Sequence, residues 1–221
     1  MPAFFCGCAF LRSKEDTMRS VLSYPTRGRW GKYDYRGNCS GYVIMDLLKF
    51  YRPKTFLEVF AGGGTGYEVA KELGYSDSIH LDLNPHWGGW NALKDEVPVC
   101  TDLIFSHPPY FDMVVYSGQV WGEAHSDDLS RSVDYPDYIH KLDLVNEKLL
   151  NSLSPGGRLA LLIGDCRRHG KYYSIIKDMK YPSPLESHII KVQHNMTSAR
   201  KEYKGQFVPI VHEHLLIFKK T

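Results

Sequence analysis

Residues 55–85 read TFLEVFAGGGTGYEVAKELGYSDSIHLDLNP, and their punctuation decides the fold. A short apolar run at 55–60 predicts a buried strand, and AGGGTG after it is a sharp turn. Residues 67–73 predict a helix stopped by Gly74, and 78–83 a second strand closed by Asn84-Pro85. Upstream, 41–52 reads as a mostly buried helix ended by Pro53. Downstream, 103–106 is a third strand, halted by His107-Pro108-Pro109. A long loop occupies 111–134. Residues 135–153 then place Ile139, Leu142, Val145, Leu149 and Leu153 at three- and four-residue steps, the pattern of an amphipathic helix. Ser154-Pro155-Gly156-Gly157 predicts a turn and 158–164 a strand buried on both faces. A helix is expected at 172–179, and 188–193 and 214–219 look like two closing strands that end the sheet as an antiparallel pair. Strands alternating with helices give an α/β fold with a mostly parallel sheet. The expected organisation is a basic, aromatic loop region over 1–40 followed by one domain over 41–221.

The rest of the chain narrows the class. With 221 residues, 43% hydrophobic and 24% charged, composition is ordinary for a globular protein. No apolar run is long enough for a bilayer span, so no membrane role is expected. The charges of 1–14 follow the greasy stretch instead of preceding it, unlike a secretory signal. Five scattered cysteines, with Cys6 and Cys8 the one close pair, suggest reduced thiols and a cytoplasmic setting. His212 and His214 read as structural histidines, and no metal is expected. Charge is segregated: residues 1–54 hold 10 Lys/Arg against 4 Asp/Glu, 55–166 hold 6 against 17, and 167–221 hold 11 against 4. Such a chain can clamp a polyanion with its ends and hold a cationic ligand in its middle.

Two turns carry candidate chemistry. At the first, Gly62-Gly63-Gly64-Thr65-Gly66 lets backbone approach a ligand closely. It fits neither the dinucleotide fingerprint nor the P-loop, since the sixth position from Gly62 is Tyr67 and both Gly-Lys pairs continue with Tyr. Glu58 near the turn and Asp82 ending the next strand suit a ligand with an amine and ribose hydroxyls. At the second, His107-Pro108-Pro109-Tyr110, the prolines remove backbone donors and leave carbonyls facing away from the sheet. Tyr110 beside them either suits stacking on a planar base whose exocyclic amine donates to the Pro108 carbonyl and to His107, or anchors a rigid loop as an aromatic of the core.

These two motifs together resemble the amino-group DNA methyltransferases, which modify adenine N6 or cytosine N4. Their cofactor motif is roughly Asp-Pro-Phe-x-Gly-x-Gly-Thr, matched here by EVFAGGGT at 58–65. Their second-strand acid is matched in HLDLNP at 80–85, and their tetrapeptide, an Asp, Asn or Ser before Pro-Pro-aromatic, by HPPY at 107–110. The resemblance spans roughly 35–220, and His107 departs from it. It implies a class I, Rossmann-like methyltransferase fold whose sheet has a reversed penultimate strand. It also implies S-adenosylmethionine as cofactor, held by Asn38, Glu58, Phe60, Ala61, Gly62, Gly64, Thr65, Asp82, Leu83 and Asn84. His107, Pro108, Pro109 and Tyr110 become the catalytic residues. DNA is the expected partner, with the base flipped from the duplex, adenine N6 favoured over cytosine N4, and residues 111–134 as a target-recognition loop. Basic residues early (Arg27, Arg29, Lys32, Arg36) and late (Arg167, Arg168, Arg200, Lys201, Lys204) are candidates for the phosphate backbone. So short a chain also suggests a homodimer. Methylation of an RNA amine and a non-catalytic nucleic-acid-binding subunit remain alternatives.

Overall fold

The computed structural model describes residues 17–194, 206 and 208–221. The Cys6/Cys8 pair and the basic residues Arg200, Lys201 and Lys204 lie outside them. Along the chain come β1 (Val21–Ser23), α1 (Gly41–Tyr51), β2 (Phe56–Val59), α2 (Thr65–Glu72), β3 (Ile79–Leu81) and β4 (Thr101–Ser106). After them come α3 (Tyr135–Asn151), β5 (Leu153–Ile163), β6 (Cys166–Arg168), β7 (Lys171–Tyr173), α4 (Ile175–Asp178), β8 (Leu185–Val192) and β9 (His212–Lys219).

Seven strands form one sheet in the order β1-β8-β9-β5-β4-β2-β3. All neighbours run parallel except β9, which is antiparallel to both β5 and β8. This is the α/β, class I methyltransferase sheet with its reversed strand late in the chain. Strand β5 shows why the core run 159–163 has no polar alternation. Leu159, Leu161 and Ile163 pack with Tyr138, Leu142 and Val145 of α3 on one face. Ala160 and Leu162 pack with Val43, Ile44 and Leu47 of α1 on the other. Helix α3 starts where Asp134 accepts from the Asp137 N–H at 2.8 Å, a cap worth about 1 kcal/mol.

Four expectations change. The 1–40 region is not all loop: Val21, Leu22 and Ser23 pair with Ile190, Lys191 and Val192 as the sheet's edge strand. Three residues carry too little pattern to announce themselves. The reversed strand is consequently third from that edge rather than penultimate, because β1 lies outside β8. Residues 154–157 are absorbed into β5 as an irregularity in its pairing with β4, with Gly156 at φ 76°. Residues 172–179 hold only the single turn α4, because 166–173 fold as a hairpin. Its two-residue turn puts His169 and Gly170 both at positive φ (48° and 78°), the geometry that tight hairpins favour.

The chain leaves β2 for β3 on one side and for β4 on the other. The crevice between the carboxyl ends of β2 and β4 is therefore the switch point where such sheets bind ligands.

Candidate active site

The turn after β2 is built from unusual backbone. Phe60 takes a φ of 64° and Gly62 and Gly64 take 50° and 82°. For a phenylalanine that conformation costs about 1–2 kcal/mol, and such local strain concentrates at binding sites. A side chain on Gly63 would meet Asn38 at 2.4 Å, and one on Gly62 would meet the Tyr35 ring at 3.0 Å. Residues 35–38 (YRGN) thus lie directly over the turn. Lys32 N–H donates to the Gly63 carbonyl at 2.7 Å, and Asn38 Nδ2 donates to the Lys32 carbonyl at 2.7 Å. Trp87 Nε1 holds the Gly62 carbonyl from the other side at 2.8 Å.

Helix α2 has no side-chain cap at Gly64. Instead the buried Glu58 carboxylate accepts from the N–H groups of Gly66 and Tyr67. His80 Nδ1 lies 2.7 Å from Glu58 Oε2, and His80 Nε2 lies 2.9 Å from Ser78 Oγ. A side chain on Gly66 would come within 2.2 Å of Glu58 Oε1. Burial raises the Glu58 pKa, against the pull of His80 and the two amides. Glu58 borders the cleft, but its hydrogen bonds anchor α2.

Asp82 accepts from Gly62 N–H at 2.9 Å and from Asn84 N–H at 2.8 Å. Burial raises its pKa to about 6, the two amides drawing it only partly back. Asn84 accepts from His86 N–H at 3.0 Å and caps the 3-10 turn Pro85–Trp87. It touches the site only through Asp82.

A cleft of about 760 Å³, its open mouth included, runs from the glycine turn to the end of β4. Among its lining residues are Asn38, Phe60, Ala61, Gly62, Thr65, Asp82 and Leu83, and at the far end His107 and Pro109. Gly64, Asn84, Pro108 and Tyr110 are not on its wall. Thr65 Oγ1 is buried with no hydrogen-bond partner, an acceptor and donor left for a ligand.

His107 is half-buried, and burial lowers its pKa to about 4, against the pull of Glu213. Tyr110 differs most from expectation. The residue is 7% exposed, and its ring packs against Gly164, where a side chain would meet it at 2.6 Å. Its hydroxyl donates to Glu213 Oε1 at 2.7 Å and lies 3.0 Å from His107 Nε2. It offers no open face for a base to stack on. The Pro109 carbonyl accepts from Tyr138 Oη at 2.6 Å, and no described hydrogen bond uses the Pro108 carbonyl.

Several lining residues went unnoticed in the sequence: Trp90, Ala92, Tyr116, Trp121, Asp128 and Leu129. Next to Trp90, Asn91 N–H donates to Asp95 Oδ2 at 2.8 Å. Residues 111–134 fold onto the cleft around Asp128. One oxygen of Asp128 takes the N–H and hydroxyl of Ser117, both at 2.7 Å. The other takes the N–H and hydroxyl of Ser130, at 2.9 and 2.6 Å. Tyr116 stacks on Tyr35 at 6.1 Å between ring centres. The signal available was the pairing of aromatics with an Asp-Asp step inside one loop.

Among the described residues no group of three or more His, Cys, Asp or Glu could hold a metal ion, and no helix is long and apolar enough to cross a membrane.

The sheet and the glycine crevice define a class I methyltransferase fold, and solved structures bear this out. TrmN from Thermus thermophilus superposes with a TM-score of 0.53 at 16% identity, over 84% of this chain and 50% of TrmN. The chain thus spans about half the length of TrmN. The N-methyltransferase NodS from Bradyrhizobium japonicum gives a TM-score of 0.50 at 14% identity, over 81% of this chain and 93% of NodS. TTHA0409 of Thermus thermophilus, a candidate DNA modification methylase, gives 0.38 at 19% identity, over 75% and 53%. That last superposition is too loose to bear on function. No protein-family model and no curated protein matches the sequence.

Proposed function

We propose that this chain is an S-adenosylmethionine-dependent methyltransferase acting on the exocyclic amine of a nucleic-acid base. DNA adenine N6 is the first-ranked target and cytosine N4 the second. One observation carries the reading: His107, a neutral half-buried acceptor at the carboxyl end of β4, shares a cleft with the glycine turn and Asp82.

The cleft fits the cofactor on its own chemistry. Asp82 can accept both ribose hydroxyls, since each of its oxygens has a lone pair beyond its amide bond. Leu83, Trp90, Ala92 and Leu129 give apolar walls for an adenine ring. The free Thr65 hydroxyl and the Asn38 side chain stand by the glycine turn for the amino-acid end. The cofactor supplies an electrophilic methyl group on a sulfonium. The protein's part is to hold the amine beside it: His107 accepts one amine hydrogen, and the nitrogen lone pair is left toward the methyl. Fixing that geometry can contribute several kcal/mol, up to about 7–11 in ideal cases. The base must leave a duplex to reach so recessed a site.

The test is direct. Protein, labelled S-adenosylmethionine and either mixed DNA or mixed RNA are incubated, the nucleic acid is digested, and the labelled nucleoside is identified. N6-methyladenine from DNA is expected. Label in RNA alone would move the substrate to RNA, and label in neither polymer would overturn the proposal.

A further inference from the structure

Behind the cleft wall, four side chains from distant parts of the sequence form one buried chain. Lys191 Nζ donates to Glu213 Oε2 at 2.7 Å, Tyr110 Oη donates to Glu213 Oε1 at 2.7 Å, and His107 Nε2 lies 3.0 Å from Tyr110 Oη. Tyr110, Lys191 and Glu213 are all buried. The sheet builds the pair, because Lys191 of β8 stands opposite Glu213 of β9 in register. Gly164, at the end of β5, makes room for the Tyr110 ring.

The hydrogens in this chain can be assigned by elimination. Lysine has only donors. Glu213 is ionised at neutral pH: burial pushes its pKa up, but the charge and hydrogen bond of Lys191, with Tyr110 and His107, hold it below the usual value. An ionised carboxylate has no hydrogen to give, so the single Tyr110 hydrogen points at Glu213. Tyr110 then has only lone pairs to offer His107, and Nε2 must carry the imidazole hydrogen. A neutral imidazole with hydrogen on Nε2 has its acceptor at Nδ1. Among the described residues His107 Nδ1 makes no hydrogen bond.

We propose that Lys191, Glu213 and Tyr110 are positioning residues that lock His107 in its Nε2–H tautomer, so that the ring offers the cleft one fixed acceptor and selects a ligand that donates an N–H. This rests on the proposed function for the identity of the donor, a base amine. A base with a carbonyl at that position would meet lone pair against lone pair. A site built around one buried hydrogen bond rejects such an analogue strongly. Tyr110 thereby acts on the amine through His107 rather than by stacking.

The test reads the tautomer without cofactor or substrate. In protein labelled with ¹⁵N-histidine, the His107 ring signals are identified by their loss in His107→Asn. In wild type at pH 7, Nε2 should show the protonated, pyrrole-type signal and Nδ1 the unprotonated, pyridine-type signal. Tyr110→Phe should average the two, because Nε2 loses its acceptor. The double variant Lys191→Met/Glu213→Leu should do the same, since Tyr110 is then free to donate to Nε2. It removes both charges together and so strands neither. In both variants methyl transfer at saturating cofactor should fall at least about tenfold, the measure of one lost oriented hydrogen bond. An unchanged near-ultraviolet circular dichroism spectrum establishes that each variant is folded; should Tyr110→Phe fail that control, the double variant gives the answer. A wild-type Nδ1–H tautomer, or a tautomer unmoved in the folded variants, overturns the lock. A lock that is present and released in the variants, in a wild type that methylates no nucleic acid, upholds the lock and overturns the proposed function instead.

Discussion

Cofactor binding should be coupled to proton release at Asp82. In the ligand-free protein burial raises this carboxyl from 3.8 to about 6. Ribose hydroxyls are donors, and donors favour the ionised carboxylate. Bound cofactor should therefore return Asp82 toward its ordinary value, and below pH 6 the protein must lose a proton to bind. At pH 7 the carboxylate is already ionised and the cost is small. By pH 5 roughly nine molecules in ten must first deprotonate, so the apparent Kd should weaken about tenfold between pH 7 and pH 5. The ligand-free protein carries the mirror image. Its raised carboxyl contributes stability that is fully present below about pH 4 and lost as pH rises through 6, about 3 kcal/mol in all. Calorimetric titrations at pH 5, 6 and 7, each in two buffers of different ionisation enthalpy, count the proton directly. Near pH 5 the count should approach about one per cofactor bound, and Asp82→Asn should abolish it. No proton released by the wild type, or the same count from Asp82→Asn, would show that the ribose is not held by this carboxylate.

His107 titrates near pH 4 because of burial, so turnover at saturating cofactor should persist through pH 6 and fall only as the imidazole gains a second hydrogen near pH 4. A pH–kcat profile with its acid limb at an ordinary histidine value would contradict this, and His107→Leu should be nearly inactive. Thr65→Val removes a buried hydroxyl that has no partner. It should leave the ligand-free Tm unchanged or raised while weakening cofactor by about 1 kcal/mol, and a lowered Tm with unchanged affinity would contradict the assignment. Gly66→Ala drives a methyl group to 2.2 Å from Glu58 Oε1. Denaturant unfolding should show a loss of about 1–3 kcal/mol, the range for overpacking a tight interior.

The sheet was legible in the sequence wherever punctuation and pattern agreed. Gly62 to Gly64, Asn84-Pro85 and His107-Pro108 each end a strand that the structure also ends there, give or take two residues. Strand β1 was invisible because its partner is β8, more than a hundred residues away, and because Val21, Leu22 and Ser23 alone have no period. The 166–173 hairpin was hidden by Tyr172 and Tyr173, whose spacing to Ile175 and Ile176 imitates a helix. In the site, motif spacing brought Asp82, the glycine turn and His107 to one cleft. It could not show which way Tyr110 faces, since that is set by Gly164 and Glu213 at the ends of other strands. Nor could it show residues 111–134 folded onto the cleft, because the knot at Asp128 depends on four donors from Ser117 and Ser130 meeting in space.

The edge strand has a kinetic meaning. Val21 can pair with Ile190 only once β8 has a place in the sheet, and β8 is held there by β9, which must first find β5. The segment that leaves β1 then crosses to the glycine turn, where Lys32 and Asn38 close over it. The segment that closes the ligand crevice is therefore anchored at one end on the most sequence-distant pairing of the sheet. Topologies dominated by such remote pairings fold slowly. Refolding followed by tryptophan fluorescence should show the environment of Trp30, which packs on α1 and hydrogen-bonds Glu72, maturing in the last phase together with cofactor binding.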